Sequence, residues 1–192
     1  MNKYRIEAFS DGVLAIIITI MILEIKVPQQ GTFESLKPLI PIFLSYILSF
    51  IYIGIYWNNH HHMFQIAKMV NGAVLWANLF LLFWLSLIPF ATSWMGEQQF
   101  STIPMAIYGF ILLMCAISYT ILQNKIMKLE GEKSLLRQAV QKDKKGKISL
   151  CCYILAIPMA FISPWISGLL YIIVALIWII PDKRIEKQIN KI

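Results

Sequence analysis

Hydrophobic and polar positions along this chain fall into long blocks rather than alternating residue by residue. The apolar blocks are separated by short polar segments and by turns such as 28–31, and Ser163-Pro164-Trp165 divides the last block into a hairpin. Blocks of about 20 apolar residues are long enough to cross a bilayer as helices. The pattern predicts an all-α membrane protein, one domain over 1–192, with six transmembrane helices at about 6–27, 37–60, 69–95, 100–124, 148–163 and 165–181.

The first predicted helix differs from the others because charged residues limit its apolar part. The uncharged run 12–23 lies between Asp11 and Glu24 and is too short to cross a hydrocarbon core of about 30 Å by itself. A charged side chain in a membrane helix is costly unless it faces protein or water. We therefore expect this helix to stand inside a bundle, away from lipid.

Composition and charge agree with a membrane protein. Hydrophobic residues make up 58% of the 192 residues and charged residues 14%, and the formal net charge is +7. Fifteen of the seventeen Lys and Arg lie in the N-terminus, the C-terminus and the segments after the second and fourth predicted helices, above all the basic loop 125–147. By the positive-inside rule both termini are cytoplasmic. The cations lie between apolar spans, so we expect a lipid bilayer as partner and no nucleic acid.

On a helical wheel one face of the first predicted helix is almost wholly apolar. At about 100° per residue, Gly12, Ile16, Thr19 and Leu23 lie within roughly 60° of one another, and Thr19 supplies the only hydroxyl. Asp11 lies roughly 140° from Ile16, so the ionisable group points elsewhere. The pattern alone leaves two interpretations open, helix packing and the lining of a pore.

The first predicted helix contains the motif Arg5-x-x-x-Phe9-Ser10-Asp11, continued by Ile16-Ile17-x-Thr19-x-x-Ile22-Leu23. This motif resembles the signature of the transmembrane protein 175 family. The segments 56–62 and 86–90 are similar to later landmarks of that family, and the spacing of six helices matches one family repeat. The resemblance implies a potassium-permeable channel that is a homotetramer in the plasma membrane of a bacterium. It lacks the usual Thr-Val-Gly-Tyr-Gly filter, and K⁺ is its permeant ion rather than a cofactor.

The resemblance also implies roles for the residues of the stripe. Four copies of the first helix would line a central pore. Ile16 would form the narrowest hydrophobic ring and Leu23 a second apolar ring, together a gate, and Thr19 would form a hydroxyl ring that provides selectivity. These roles agree with the stripe found on the wheel.

A second group of residues is predicted to be structural. A buried carboxylate needs hydrogen-bond donors, and donors cluster where the second predicted helix ends, at the same membrane face as Asp11. We expect a polar network that fixes the first helix to the second and third, formed by Arg5, Phe9, Ser10, Asp11, Trp57, Asn58 and His61.

Other functions have weaker support in the sequence. Residues 60–62 are three consecutive histidines, and adjacent helical residues point about 100° apart, so they cannot easily share one metal ion. No catalytic motif occurs, and neither an enzyme nor a metal site is predicted. The alternative function is a secondary transporter of a small cation or solute, although transporters usually show internal repeats and a polar midplane site, and neither is evident here.

Overall fold

A computed structural model describes residues 3–140 and 143–180. These residues are largely α-helical, and the described part of the chain contains no β-strand. The end of the sixth predicted helix at 181 and the basic tail 182–192 lie outside the described residues. The helices, in chain order, are α1 (Lys3–Leu23), α2 (Ile40–Ile66), α3 (Gly72–Ser86), α4 (Ile88–Glu97), α5 (Thr102–Glu130), α6 (Leu135–Val140), α7 (Lys144–Met159) and α8 (Pro164–Ile179).

Within the described residues, four segments are long and apolar enough to cross a membrane. They are α1, the 3₁₀ helix Phe33–Leu39 together with α2, the pair α3 and α4, and α5. Helices α7 and α8 have 16 residues each, or about 24 Å at 1.5 Å per residue, which is less than a typical hydrocarbon core. The all-α membrane class is therefore correct, and the count of six spans stays a prediction.

The second predicted helix continues six residues further than expected, to Ile66, and includes all three histidines. Its last carbonyls would otherwise lack partners. Lys3 supplies them, because its Nζ donates to the carbonyl oxygens of Phe64, Gln65 and Ala67 at 3.1–3.2 Å. A cation at a helix C-terminus also interacts favourably with the helix dipole. The start of α1 is thereby fixed to the end of α2.

Two other predicted segments contain more detail in the structure. The predicted helix 69–95 is divided at Leu87, because Pro89 offers no backbone N–H and its ring crowds the preceding turn. The predicted loop 125–147 is mostly ordered into helix: it contains the end of α5, the 3₁₀ turn Gly131–Lys133, α6 and the start of α7. Asp143 caps α7 by accepting from the backbone N–H of Gly146 at 3.0 Å.

The helices pack as one bundle with α5 near its centre. Helix α5 packs against α3, α4, α7 and α8, whereas the main contacts of α1 are with α2, α3 and α4. Half of the most apolar part of α5 is buried inside the chain, compared with 28% for α1. Helix α1 therefore lies at one side of the bundle and leaves most of its surface free.

Candidate functional site

One face of α1 is buried against the rest of the bundle. Its members recur every three or four residues, as expected for one side of a helix. They are Ile6, Ser10, Leu14, Ile17 and Met21. All are apolar except Ser10, which is fully buried. The rotational setting of α1 is thus fixed by four apolar contacts and one hydroxyl.

The predicted stripe lies on the opposite face of α1 and is exposed. Ile16 is 58% exposed and Leu23 is 79% exposed, and Gly12 and Thr19 are exposed as well. Exposed apolar residues are ordinary on helices that face lipid. The stripe differs from a purely apolar face only in the hydroxyl of Thr19.

The hydroxyl of Thr19 has a defined orientation. Its Oγ1 donates to the carbonyl oxygen of Ile16 at 2.8 Å, one turn earlier in the same helix. With its only proton used inside the helix, the oxygen presents lone pairs outward. The exposed stripe therefore carries one electron-rich oxygen among apolar side chains, which is a suitable arrangement for a cation.

A chain of buried hydrogen bonds joins α1 to α3 and α2. His60 Nε2 lies 2.8 Å from Asn78 Oδ1, and Asn78 Nδ2 donates to Ser10 Oγ at 3.0 Å. Because an amide oxygen only accepts, His60 Nε2 carries the proton in this arrangement. The three residues are at most 2% exposed. We call them the Ser10–Asn78–His60 chain.

A second contact between α1 and α2 lies nearer the surface. Trp57 Nε1 donates to Asp11 Oδ1 at 3.0 Å, so the predicted contact between the second helix and this carboxylate is present. The ring of His61 stacks on Trp57, with centroids 6.1 Å apart and planes 17° from parallel. His61 Nε2 also lies 2.8 Å from the side-chain amide of Gln65.

The remaining residues of the predicted network lie outside it. Arg5 and Phe9 are exposed and Asn58 is half-buried, and none of the three hydrogen-bonds to the residues above in the described part of the chain. The histidine that joins the buried chain is His60 rather than His61. Asn78 was not predicted, although its sequence signal was available: it is the only amide in the apolar run 72–85.

A groove lies beside the stripe, between α1 and α4. Its volume is about 650 Å³, and Ile16 and Ile20 form one wall while Phe90 and Trp94 form the other. Glu97 lies at one end and is 3.9 Å from Lys26 Nζ. The groove and the stripe share Ile16, so a single body packed along α1 would contact both.

Metal ligands do not cluster in the structure. Within residues 3–140 and 143–180, no three His, Cys, Asp or Glu side chains lie close enough together to hold a metal ion. The rings of His61 and His62 are 5.8 Å apart and tilted by 52°. The site is therefore a helix face and its supporting hydrogen bonds rather than a cluster of ligands.

Similarity to known proteins identifies the family. Residues 5–89 match the family described as endosomal/lysosomal potassium channel TMEM175. A potassium channel of Chryseobacterium sp. (strain P1-3) is 58% identical over 191 residues, which cover both chains completely. The chain belongs to the TMEM175 family. This is a family of ion channels, so the chain is a channel protein and not an enzyme.

The structure agrees with that assignment. The crystal structure of a lysosomal potassium-selective channel TMEM175 homolog from Chamaesiphon minutus superposes with a TM-score of 0.80 at 31% identity, covering 91% of this chain and 94% of that one. The endosomal/lysosomal proton channel TMEM175 of Rattus norvegicus is 28% identical over 131 residues, which are 66% of this chain and 26% of the rat protein. Family relatives thus include proteins named for K⁺ and for protons.

Replacing Asn78 tests the buried chain. We expect Asn78→Leu to destabilise the protein by about 1–3 kcal/mol, because it leaves Ser10 Oγ and His60 Nε2 buried without partners. The thermal midpoint of the purified protein in detergent is the measurement. Asn58→Leu is the matched control, since this asparagine lies near the same end of the bundle outside the chain. Equal midpoints for the two variants would contradict a supporting role for Asn78.

Proposed function

We propose that this protein is the subunit of a homotetrameric, potassium-permeable channel in a bacterial plasma membrane. Four copies of α1 surround the pore, Ile16 and Leu23 form the gate, and Thr19 provides selectivity. The observation that carries the proposal is the full-length similarity, 58% identical, to a protein named as a potassium channel. The relatives named for protons are more distant and match only part of their length.

The assembly is supported by the position of α1 in the bundle. In the described part of a single chain, the stripe and the adjacent groove are exposed. A ring of identical subunits covers such surfaces by repeating one contact around an axis. With the groove occupied by a neighbouring subunit, the stripes of four chains face one another across the axis.

The topology in this proposal has six spans and cytoplasmic termini. The four long segments give an even number of crossings, and the hairpin of α7 and α8 adds two more. Both helices of the hairpin are short, so the bilayer beside them thins locally. The basic segments at the ends of α2 and α5 then lie on one side, as the positive-inside rule requires.

Gating follows from the shape of an apolar ring. A narrow ring of isoleucine side chains loses its water and stops ions without being completely blocked. A small rotation or widening of α1 restores water and conduction. Leu23, seven residues further along the same face, forms a second ring of the same kind.

Selectivity in this proposal comes from side chains, since the sequence has no Thr-Val-Gly-Tyr-Gly segment to present carbonyl oxygens. Four Thr19 hydroxyls replace part of the water shell of a dehydrating ion. Their orientation supports this role, because each donates its proton to Ile16 O and presents lone pairs outward. Four neutral oxygens make a weak site, so we expect modest preference for K⁺ over Na⁺.

The gate predicts the behaviour of Ile16→Asn. A polar ring keeps its water and lowers the dewetting barrier, so resting conductance should rise severalfold. Currents of the purified protein in planar bilayers under a K⁺ gradient are the measurement. Ile154→Asn is the matched control, because Ile154 on α7 is 56% exposed and lies away from α1. A rise of the same size in both variants, or in neither, would argue against a gate at Ile16.

The selectivity ring predicts the behaviour of Thr19→Val. Valine keeps the shape of threonine and removes four oxygens from one ring, so the permeability ratio of K⁺ to Na⁺ should fall about threefold, or roughly 0.6 kcal/mol. Reversal potentials under bi-ionic conditions give this ratio.

The control for this change is Thr120→Val. Thr120 is an exposed threonine on α5 whose hydroxyl also donates to a carbonyl one turn earlier, Ala116 O at 2.8 Å. We expect this variant to keep the ratio of the unmodified protein. If Thr19→Val also keeps it, selectivity lies outside α1. Absence of any unitary current from the unmodified protein would reject the channel function itself.

A further inference from the structure

The end of the bundle where α1 finishes carries few charges, and most of them occur in neutral pairs. The connections at this end, residues 24–39, 97–101 and 160–163, contain three acids and two lysines. Glu34 Oε2 lies 2.8 Å from Lys37 Nζ, and Glu97 Oε1 lies 3.9 Å from Lys26 Nζ. These two pairs cancel in charge, so one acid of this end remains without a lysine.

That acid is Glu24. It is exposed, and within residues 3–140 and 143–180 it forms no ion pair with a lysine, arginine or histidine. Its Oε2 lies 3.5 Å from Ser93 Oγ, which donates to it. A hydroxyl is a neutral donor, so this long hydrogen bond orients the carboxylate and leaves its negative charge in place. Glu24 therefore carries the net charge of this end of the chain.

Glu24 also lies where the stripe of α1 ends. Its backbone N–H donates to Ile20 O at 3.3 Å, so the helical course of α1 continues as far as this residue. It directly follows Leu23, and around the helix axis it lies about 40° from Ile20 and about 80° from Ile16. It also lines the groove beside the stripe. The unpaired carboxylate is thus at the edge of the stripe, just beyond its last apolar residue.

We propose that Glu24 attracts K⁺ to the outer mouth of the pore and so raises the rate at which ions enter. The proposal rests on the proposed function, in which four copies of α1 surround the pore and their ends face outward. Four carboxylates without lysine partners then lie at the opening, next to the ring of Leu23. Rings of acidic side chains favour cations in channels, and an opening lined by one sign of charge concentrates the opposite ion.

This role differs from the role proposed for Thr19. A neutral hydroxyl acts on an ion only at contact, and the apolar rings of Ile16 and Leu23 do not attract it. The charge of Glu24 acts over a distance set by the salt concentration, about 30 Å at 0.01 M and about 3 Å at 1 M. It attracts K⁺ and Na⁺ alike, so it affects conductance and not the permeability ratio.

Unitary currents at two salt concentrations test the proposal. The purified full-length protein is recorded in planar bilayers of uncharged lipid, in symmetric KCl of about 10 mM or about 1 M. We expect Glu24→Gln to lower the conductance about threefold at the low concentration and to leave it unchanged at the high one. The loss should be larger for current that enters at the Glu24 side, which makes the current–voltage relation asymmetric. The permeability ratio of K⁺ to Na⁺ should stay the same.

Two further variants separate charge from structure. Glu24→Asp keeps the charge, so its conductance at low salt should remain close to that of the unmodified protein. Glu34→Gln removes the same charge from an exposed acid that is paired with Lys37 and does not line the groove, so we expect no loss. Unchanged conductance of Glu24→Gln at low salt would overturn the proposal. So would an equal loss at both concentrations, or an equal loss in Glu24→Asp or in Glu34→Gln.

Failure of the proposed function has a different signature. An unmodified protein that passes no unitary K⁺ current rejects the channel and the role of Glu24 together. An unmodified protein that conducts, with a Glu24→Gln variant of the same conductance at low salt, rejects only the role of Glu24.

Discussion

The structure depends on the cost of burying polar groups inside a bundle of apolar helices. In hydrocarbon an unsatisfied donor or acceptor costs several kcal/mol. A helix with a buried polar side chain is therefore stable only in the few rotations about its axis that bring this side chain to a hydrogen-bond partner. In the observed rotation of α1, the hydroxyl of Ser10 is hydrogen-bonded to Asn78, and Asn78 is hydrogen-bonded to His60. The Ser10–Asn78–His60 chain therefore does more than add stability, because it selects the face of α1 that is turned inward.

Once that face is chosen, the face turned outward follows. At about 100° per residue, Gly12, Ile16, Thr19 and Leu23 lie between about 180° and 240° from Ser10 around the helix axis. Asp11 lies about 100° from Ser10, where Trp57 reaches it at the edge of α2. The polar residues of α1 thus have a supporting role, and the nearly apolar face carries the proposed function. A hydrophobic gate needs such support, because whether the constriction is filled with water or empty depends on small differences in pore width.

The sequence predicts the parts of this arrangement that depend on helical periodicity alone. The stripe on α1 and the contact of Asp11 with the donors at the end of α2 follow from spacing and from the chemistry of a carboxylate. The choice between His60 and His61 does not, because neighbouring residues point about 100° apart and only packing shows which one faces α3. Asn78 was overlooked for a related reason: a single amide in an apolar helix gives no periodic signal.

The helical part of 125–147 also escaped prediction. Its polar composition is typical of a loop, but Leu136 and Ala139 of α6 are buried against the bundle, and Asp143 caps the helix that follows. The family resemblance supplies what periodicity cannot, since a single chain contains no pore. The tetramer and the roles of Ile16, Thr19 and Leu23 therefore rest on similarity together with the exposure of the stripe.

The central claim is that the stripe of α1 faces water in the assembled channel and that the face bearing Ser10 does not. Cysteine accessibility tests it directly, in a background where Cys115, Cys151 and Cys152 are replaced by alanine. Single cysteines at Ile16 and Thr19 are compared with single cysteines at Leu14 and Ile17 for block of current by a charged, water-soluble methanethiosulfonate reagent. The account predicts rapid block at the first pair and little at the second. Block at Leu14 or Ile17 with none at Thr19 would contradict it.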